Sequence, residues 1–401
     1  MKKPLRFAAM LCGCLLLSAA AQAEQGAPGQ GFRFGPRNAW TLSPRVNVGA
    51  FWETNARNTS SNEKSGGGWR VTPSLSLTYG DANARTSLSS SAFYTMERGF
   101  ESKNAQDSDS YGASLTLRRE LRKNLTLTAS GSYSRTENDE FYGQGWNTAL
   151  PELSRIDTDK TEHYNANVAL GYQGERWRWS VGAGWSRTKQ LSGYKYESDS
   201  YNVSLLAGRA VATRHYWNLS LSTTWDDAAK ASYAYYLMTG LSGQLERKLS
   251  YNFLLGAAVY DYSGYQDHTA VGPSYTASLA YKINRTFAAS LALSSQYKPE
   301  YAGNQSEYYV WSHNLTLGVN AQWSDRLSSR LNTAVVYEEH SSEIVSDYDR
   351  TYLKVGLNSS YKLNAYASVY AGVSWKTDQY SGSRGGDTDD LRGDVGLTFT
   401  F

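Results

Sequence analysis

The chain is 401 residues long, with 40 Lys and Arg against 37 Asp and Glu, a formal net charge of +3 and a mean hydropathy of −0.55. So polar an average excludes a helical membrane protein, and past the N-terminus no apolar run reaches the roughly 20 residues that a spanning helix needs. Tyr (31), Trp (12) and Gly (35) abound while Pro (8) and Met (4) are scarce, which is the composition of a transmembrane β-barrel.

Residues 1–23 read as a secretory signal peptide. Lys2, Lys3 and Arg6 supply the positive start, Phe7 to Ala20 the apolar stretch, and Ala21-Gln22-Ala23 the small-x-small cleavage site, so the mature chain is expected to begin at Glu24. A lipoprotein reading, with Cys14 acylated, is disfavoured because Leu15-Leu16-Leu17 continue the apolar run beyond it. Both cysteines, Cys12 and Cys14, leave with this segment, so the mature chain is expected to carry no thiol and no disulfide. Loss of Lys2, Lys3 and Arg6 leaves 37 basic residues against 37 acidic ones. That balance offers no basic face, and no nucleic-acid partner is expected. Residues 24–42 read as a flexible periplasmic lead-in, too short for a folded plug domain, and residues 43–401 as the barrel.

Two-residue alternation of apolar and polar side chains marks about 18 strands along the rest of the chain. Their expected spans are 43–54, 68–80, 85–98, 110–120, 124–137, 162–173, 177–189, 199–211, 216–226, 232–246, 250–262, 273–283, 286–297, 309–323, 327–340, 350–362, 366–377 and 390–401. The pattern is plain at Trp177, Trp179, Val181, Ala183 and Trp185, which alternate with Arg178, Ser180, Gly182, Gly184 and Ser186. The connections alternate between short turns, such as 80–84, 174–176, 283–285, 324–326 and 363–365, and longer polar loops, such as 55–67, 138–161 and 378–389. Short periplasmic turns, longer extracellular loops and an even strand number predict an all-β, antiparallel, up-and-down transmembrane barrel with both ends periplasmic and the first strand closed on the last. Aromatic residues near strand ends (Trp52, Trp69, Tyr79, Trp185, Trp225, Tyr281, Trp323, Tyr361, Trp375) are expected to form girdles in outer-membrane lipid. A soluble propeller is the rival architecture. No repeat of about 40–50 residues supports it.

The expected inner face is small and polar: Ser, Thr, Gly and Asn. Charged exceptions include Arg70, Arg178, Lys354, Arg392 and Asp394, with Glu53, Glu97, Glu338 and Lys376. Their mixed signs predict weak ion selectivity. Phe51, Phe93, Tyr236, Tyr260 and Tyr370 are placed to reach inward, without a clear aromatic ladder. The long loop 138–161, with Glu140, Tyr142, Trp146, Glu152, Arg155 and Asp157, is a candidate constriction folded into the lumen.

No catalytic, cofactor or metal set emerges. His163, His215, His268, His313 and His340 are scattered, Asp387, Asp389 and Asp390 read as a solvated loop, and Glu338-Glu339-His340-Ser341-Ser342 reads as a polar rim rather than a hydrolase site. Arg392-Gly393-Asp394 spells an adhesion tripeptide, but alternation turns Arg392 and Asp394 inward.

The stretch Leu42-Ser-Pro-Arg-Val-Asn-Val-Gly-Ala-Phe-Trp-Glu-Thr-Asn-Ala-Arg57, followed by Gly68-Trp-Arg-Val-Thr-Pro-Ser74, resembles the opening of the β-barrel porin type 2 family. Pro73 and Asn55 stand where that pattern wants them. The resemblance implies an outer-membrane barrel of this size, with polysaccharide passage in some members, and it assigns no ligand residue. The sequence reading is therefore a channel for passive diffusion of small hydrophilic solutes. Its alternatives are a conduit for exopolysaccharide export and a non-conducting structural or adhesive barrel. Porins of this strand number often assemble as trimers, so a homotrimer is weighed, although no lipid-face patch marks it.

The last strand ends Val395, Leu397, Phe399, Phe401 in one phase, and Phe399 and Phe401 read as the signal for the barrel-assembly machinery. Deletion of Phe401 is expected to lower the yield of heat-modifiable, membrane-assembled protein more than it alters the conductance of molecules that insert. Normal assembly of that deletion would remove this role.

Overall fold

The computed structural model describes residues 24–25, 31–36, 39–54, 65–80, 84–100, 107–137, 160–191, 197–227, 231–262, 268–298, 307–342, 347–381 and 387–401. Two short N-terminal strands, β1 (Glu24–Gln25) and β2 (Phe32–Phe34), precede the wall. The wall runs β3 (Trp40–Glu53), β4 (Gly66–Tyr79), β5 (Thr86–Gly99), β6 (Ser108–Arg122), β7 (Leu125–Glu137), β8 (Lys160–Gln173), β9 (Trp177–Gln190), β10 (Glu197–Ala212) and β11 (His215–Asp227). It continues through β12 (Ala231–Leu245), β13 (Leu249–Tyr262), β14 (His268–Lys282), β15 (Phe287–Lys298), β16 (Glu307–Gln322), β17 (Leu327–Ser342), β18 (Tyr348–Lys362), β19 (Ala367–Tyr380) and β20 (Thr388–Thr400).

Each wall strand pairs antiparallel with the next, and β20 returns to β3 from Arg392↔Glu53 to Thr400↔Arg45. The result is the closed 18-stranded barrel that the alternation implied. Closure matters because hydrocarbon offers backbone N–H and C=O groups no partner. The outward residues are those a soluble protein would bury: Trp177 is 54 % exposed and Leu255 64 %. Trp52, Trp69, Trp225 and Trp375 ring the long-loop end, and Tyr281, Trp323 and Tyr361 the short-turn end. On the same outer face Tyr94, Tyr111, Tyr133 and Tyr164 step strand by strand, with centroids 6.4, 6.1 and 4.9 Å apart.

The short turns are built from side chains that mimic backbone acceptors. Asn284 Oδ1 accepts from the N–H of Thr286 and of Phe287 (2.7 and 2.8 Å), and Asn364 does the same for Tyr366 and Ala367 (both 2.8 Å). The lead-in differs from a wholly flexible segment: β2 pairs with β3 through Phe32↔Leu42 and Phe34↔Trp40. Several strands also extend further toward the long loops than the alternation marks, because there the side chains rise above the apolar band and lose the two-sided pattern. β14, for example, begins at His268 rather than Pro273.

The joint between β14 and β15 departs from the rest of the wall. Its pairs run only from Thr276↔Ser294 to Lys282↔Ala288, whereas β14 pairs with β13 along its whole length, from Tyr262↔His268 to Leu249↔Tyr281. On the β12–β13 side the wall bends sharply at the same height. Gly240, Leu254, Thr276 and Ser294 share one row, and any Cβ at Gly240 would collide with the Phe253 carbonyl oxygen.

Candidate functional site in the barrel lumen

Alternation sends Phe51 and Glu53 of β3, Arg70 and Thr72 of β4, Thr95 and Glu97 of β5 and Asp390, Arg392 and Asp394 of β20 to the inside. Register then sets them side by side at the long-loop end. Arg392 Nη1 donates to Glu53 Oε2 at 3.1 Å and Nη2 to Glu97 Oε1 at 3.4 Å, while Arg70 Nη1 reaches the same Glu97 oxygen at 3.4 Å. The Arg392 guanidinium lies 3.9 Å from the Phe51 ring centroid. Only 3 % of Arg392 is exposed, so these charges do not line an open water column. Buried pairs of this kind hold only while both signs are present.

The network has a second centre on β17–β19. Arg350 Nε and Nη2 donate to the two Asp378 oxygens at 2.8 and 2.5 Å, a two-pronged pair, and Arg350 Nη1 lies 3.8 Å from Glu338 Oε2. His340 Nε2 lies 3.5 Å from the same Glu338 oxygen and its ring stacks on Tyr348 at 4.2 Å. Lys354 and Lys376 face each other across β18 and β19, and Lys376 stands opposite Asp390 on β20. The inner face from β17 round to β5 is thus a continuous band of charge.

The opposite arc is apolar. Tyr260 is fully buried, among Ala234, Ala258, Tyr262, Ala270 and Tyr297, with Tyr236 and Trp311 packed against them. Tyr297 stacks on Tyr260 at 5.6 Å and on Trp311 at 5.8 Å. Tyr297 and Trp311 belong to β15 and β16, yet they lie against the inner faces of β12–β14. A Cβ at Gly272 would strike Tyr297 Oη and come within 3.6 Å of the Trp311 ring. Above the bend the β15–β16 edge has slipped inside β14, and the wall overlaps itself.

Nearer the short turns, Arg178 Nη2 donates to Asn218 Oδ1 at 2.7 Å and to Ser242 Oγ, with the Arg178 guanidinium 4.4 Å from the Tyr216 centroid. Among the sequence candidates, the structure therefore joins Arg70 and Arg392, sets Asp394 beside them on β20, places Lys354 on the adjoining arc and Arg178 at the other end of the lumen. Phe399 lies in the outward phase of β20. Phe401 is half exposed, and its N–H donates to Pro44 O at 3.1 Å, tying the chain end to β3. Glu140, Tyr142, Trp146, Glu152, Arg155 and Asp157 fall outside the described residues. Glu338 and His340 point inward while Glu339 points out toward His313, 3.9 Å away, so alternation divides that polar run between two faces. Among the described residues no group of three or more His, Cys, Asp and Glu is placed to hold a metal.

Residues that the sequence reading passed over include Arg350, Asp378, Tyr348, Tyr352, Tyr297 and Trp311. The spacing Tyr348, Arg350, Tyr352 already held the signal, because residues two apart share a face. The expected picture of a small, mostly uncharged inner wall without an aromatic arc is corrected accordingly. It was read from the middle of the strands, where Ser, Thr and Gly prevail, and it fails at the long-loop end.

No family model matches the chain, and no curated protein matches it in sequence. In fold it is similar to the siderophore receptor PirA from Pseudomonas aeruginosa, at 11 % identity over 90 % of this chain and 80 % of that one, with a TM-score of 0.44. It is similar also to the FrpB iron transporter from Neisseria meningitidis (7 % identity, 90 % and 81 % covered, TM-score 0.45). A third likeness is to the alcaligin outer membrane receptor FauA from Bordetella pertussis (14 %, 90 % and 76 %, 0.40). The chain has the architecture of an outer-membrane β-barrel, a wall that sits in lipid. These neighbours are described as receptors and a transporter, not as diffusion porins, and the expectation of a passive diffusion channel for small hydrophilic solutes is corrected with them. The physical reason lies in the long-loop end of the lumen, which buried ion pairs and an overlapped aromatic arc fill. The two alternative functions weighed beside diffusion, polysaccharide export and a non-conducting adhesive barrel, are set aside with it.

Replacement of Arg392 by Ala leaves Glu53 and Glu97 buried without their shared cation. The loss of unfolding free energy is expected to be about 3–5 kcal/mol, measured by urea titration in detergent micelles, with Arg392→Lys falling between. A loss of under about 1 kcal/mol, the size of an exposed surface pair, would show that the network is solvated.

Proposed function

We propose that the chain is a ligand-selective transport barrel of the outer membrane, whose cargo binds on the inner face at the long-loop end before it crosses. The observation that carries this is the half-ring of buried, mutually paired charges from β17 to β5, beside an aromatic lap of β15–β16 over β12–β14. An entering molecule must displace or re-partner those ion pairs. A solute without matching groups would leave them unpaired in a poorly solvated place, which costs several kcal/mol. Selection follows from that penalty rather than from pore width.

The maturation route belongs to the same proposal. A leader of residues 1–23 is removed in transit, and the assembly machinery takes the last strand with Phe399 and Phe401 at its end. Kinship with the β-barrel porin type 2 family is supported by residues 42–57 and 68–74; of these, 42–53 and 68–74 lie in the paired strands β3 and β4, with Pro73 opposite Val46.

The mature chain, refolded into planar bilayers, is expected to show little steady current at rest, and liposomes bearing it are expected to swell slowly in neutral sugars. A large ohmic conductance together with fast, size-limited sugar swelling would overturn the selective reading.

A further inference from the structure

We propose that the overlapped β14–β15 joint is a lateral portal through the wall, by which an amphiphile with a hydrocarbon chain and a charged head passes between the lumen and the outer leaflet. This rests on the selective-barrel reading above and names the class of cargo.

The joint is written in the sequence of β14. In an antiparallel strand the N–H and C=O of one residue point to the same neighbour. The Pro273 carbonyl points toward β15, since Ser295 Oγ donates to it at 3.4 Å. The donor that proline lacks is therefore the one β15 would have used. Regular pairing stops at Thr276↔Ser294, three residues short of Pro273 on β14. Above that row Ser295 Oγ replaces the rung, accepting from Tyr275 N–H at 3.1 Å. A proline here also lowers the cost of parting the strands, because it leaves no N–H to be orphaned in lipid, where each orphan costs several kcal/mol.

A hydroxyl of β12 ties the inner lap. Tyr236 Oη accepts from Tyr297 N–H at 3.1 Å and donates to Tyr297 O at 3.3 Å, capping this end of β15 from β12. Around it lies aromatic packing on alanines and Gly272.

Both sides of the joint suit an amphiphile. Inside, the charged band offers partners for a charged head, while the aromatic rings lie between the two wall layers at the joint itself. Outside, Val271 of β14 stands 69 % exposed, and an apolar recess of about 550 Å³ opens on the lipid side of β12–β14. Leu241, Phe253 and Leu255 line it, and it ends at Thr276 and Ala277, where the last rung of the joint begins. Joint and recess thus meet at Thr276.

The test uses the full mature barrel in lipid vesicles and a fluorescent medium-chain fatty acid as probe, with the rate of probe transfer as readout. Wild type is expected to transfer the probe faster than empty vesicles. Pro273→Val supplies the missing donor and lets the ladder zip further, and it is expected to slow transfer by about threefold to tenfold, the equilibrium shift of one added hydrogen bond. Tyr236→Phe removes the cap and is expected to speed transfer by a similar factor. Heat-modifiable migration checks that each variant assembles, and if Pro273→Val does not, Tyr236→Phe decides. Wild-type transfer no faster than empty vesicles, or transfer unchanged or shifted the other way in the assembled variants, overturns the portal. Those results leave the resting conductance as it was, whereas a large steady current overturns the selective barrel whatever the fatty acid does.

Discussion

Hydrocarbon cannot hydrogen-bond, and everything in this molecule answers to that. A strand whose outward face is Trp, Leu and Val must have its backbone satisfied by two neighbours along its lipid-facing length. Eighteen strands achieve this only by closing β20 on β3, and the chain end is used to fasten the closure: Phe401 N–H donates to Pro44 O, and Thr400 N–H donates to Tyr366 O at 2.8 Å. With no disulfide expected in the mature chain, the ladder is the main frame on which the inner face is displayed.

On that frame the inner face is divided. Arginines bonded to carboxylates occupy one arc, where Glu97 is shared by Arg70 and Arg392 and where Arg350 serves Asp378 and approaches Glu338. Aromatic rings occupy the other, where β15 and β16 lap over β12–β14. The two arcs differ in what moves them. The ion pairs resist separation, since a lone buried charge is strongly unfavourable. The aromatic lap rests largely on ring contact and the Tyr236 hydroxyl, so it is the softer of the two.

Much of this was legible in the residues. Alternation found all eighteen wall strands, because a period of two is a local property that lipid on one side enforces. What it could not show was register. That Arg392 of the last strand touches Glu97 of the third wall strand depends on the closure and on side-chain reach across β3, which no local pattern encodes. Pro273 illustrates the other limit. Read along the chain it opens a strand at 273, whereas in the barrel it lies inside β14, which begins at His268, on the side where the neighbouring strand withdraws. A proline signals an edge, but the sequence alone does not say that the edge lies within a closed wall.

The wall is uneven: the β20–β3 seam pairs from Arg392↔Glu53 to Thr400↔Arg45, whereas the β14–β15 joint stops at Thr276↔Ser294. Residue-resolved hydrogen exchange of the barrel in lipid nanodiscs measures this directly, since amide protection reports which rungs are made. The expected result is strong protection across β3 and β20 from Val46 to Ala50 and from Val395 to Phe399, with faster exchange at Val271 of β14, above the last rung of the β14–β15 joint. Uniform protection across both joints would contradict it.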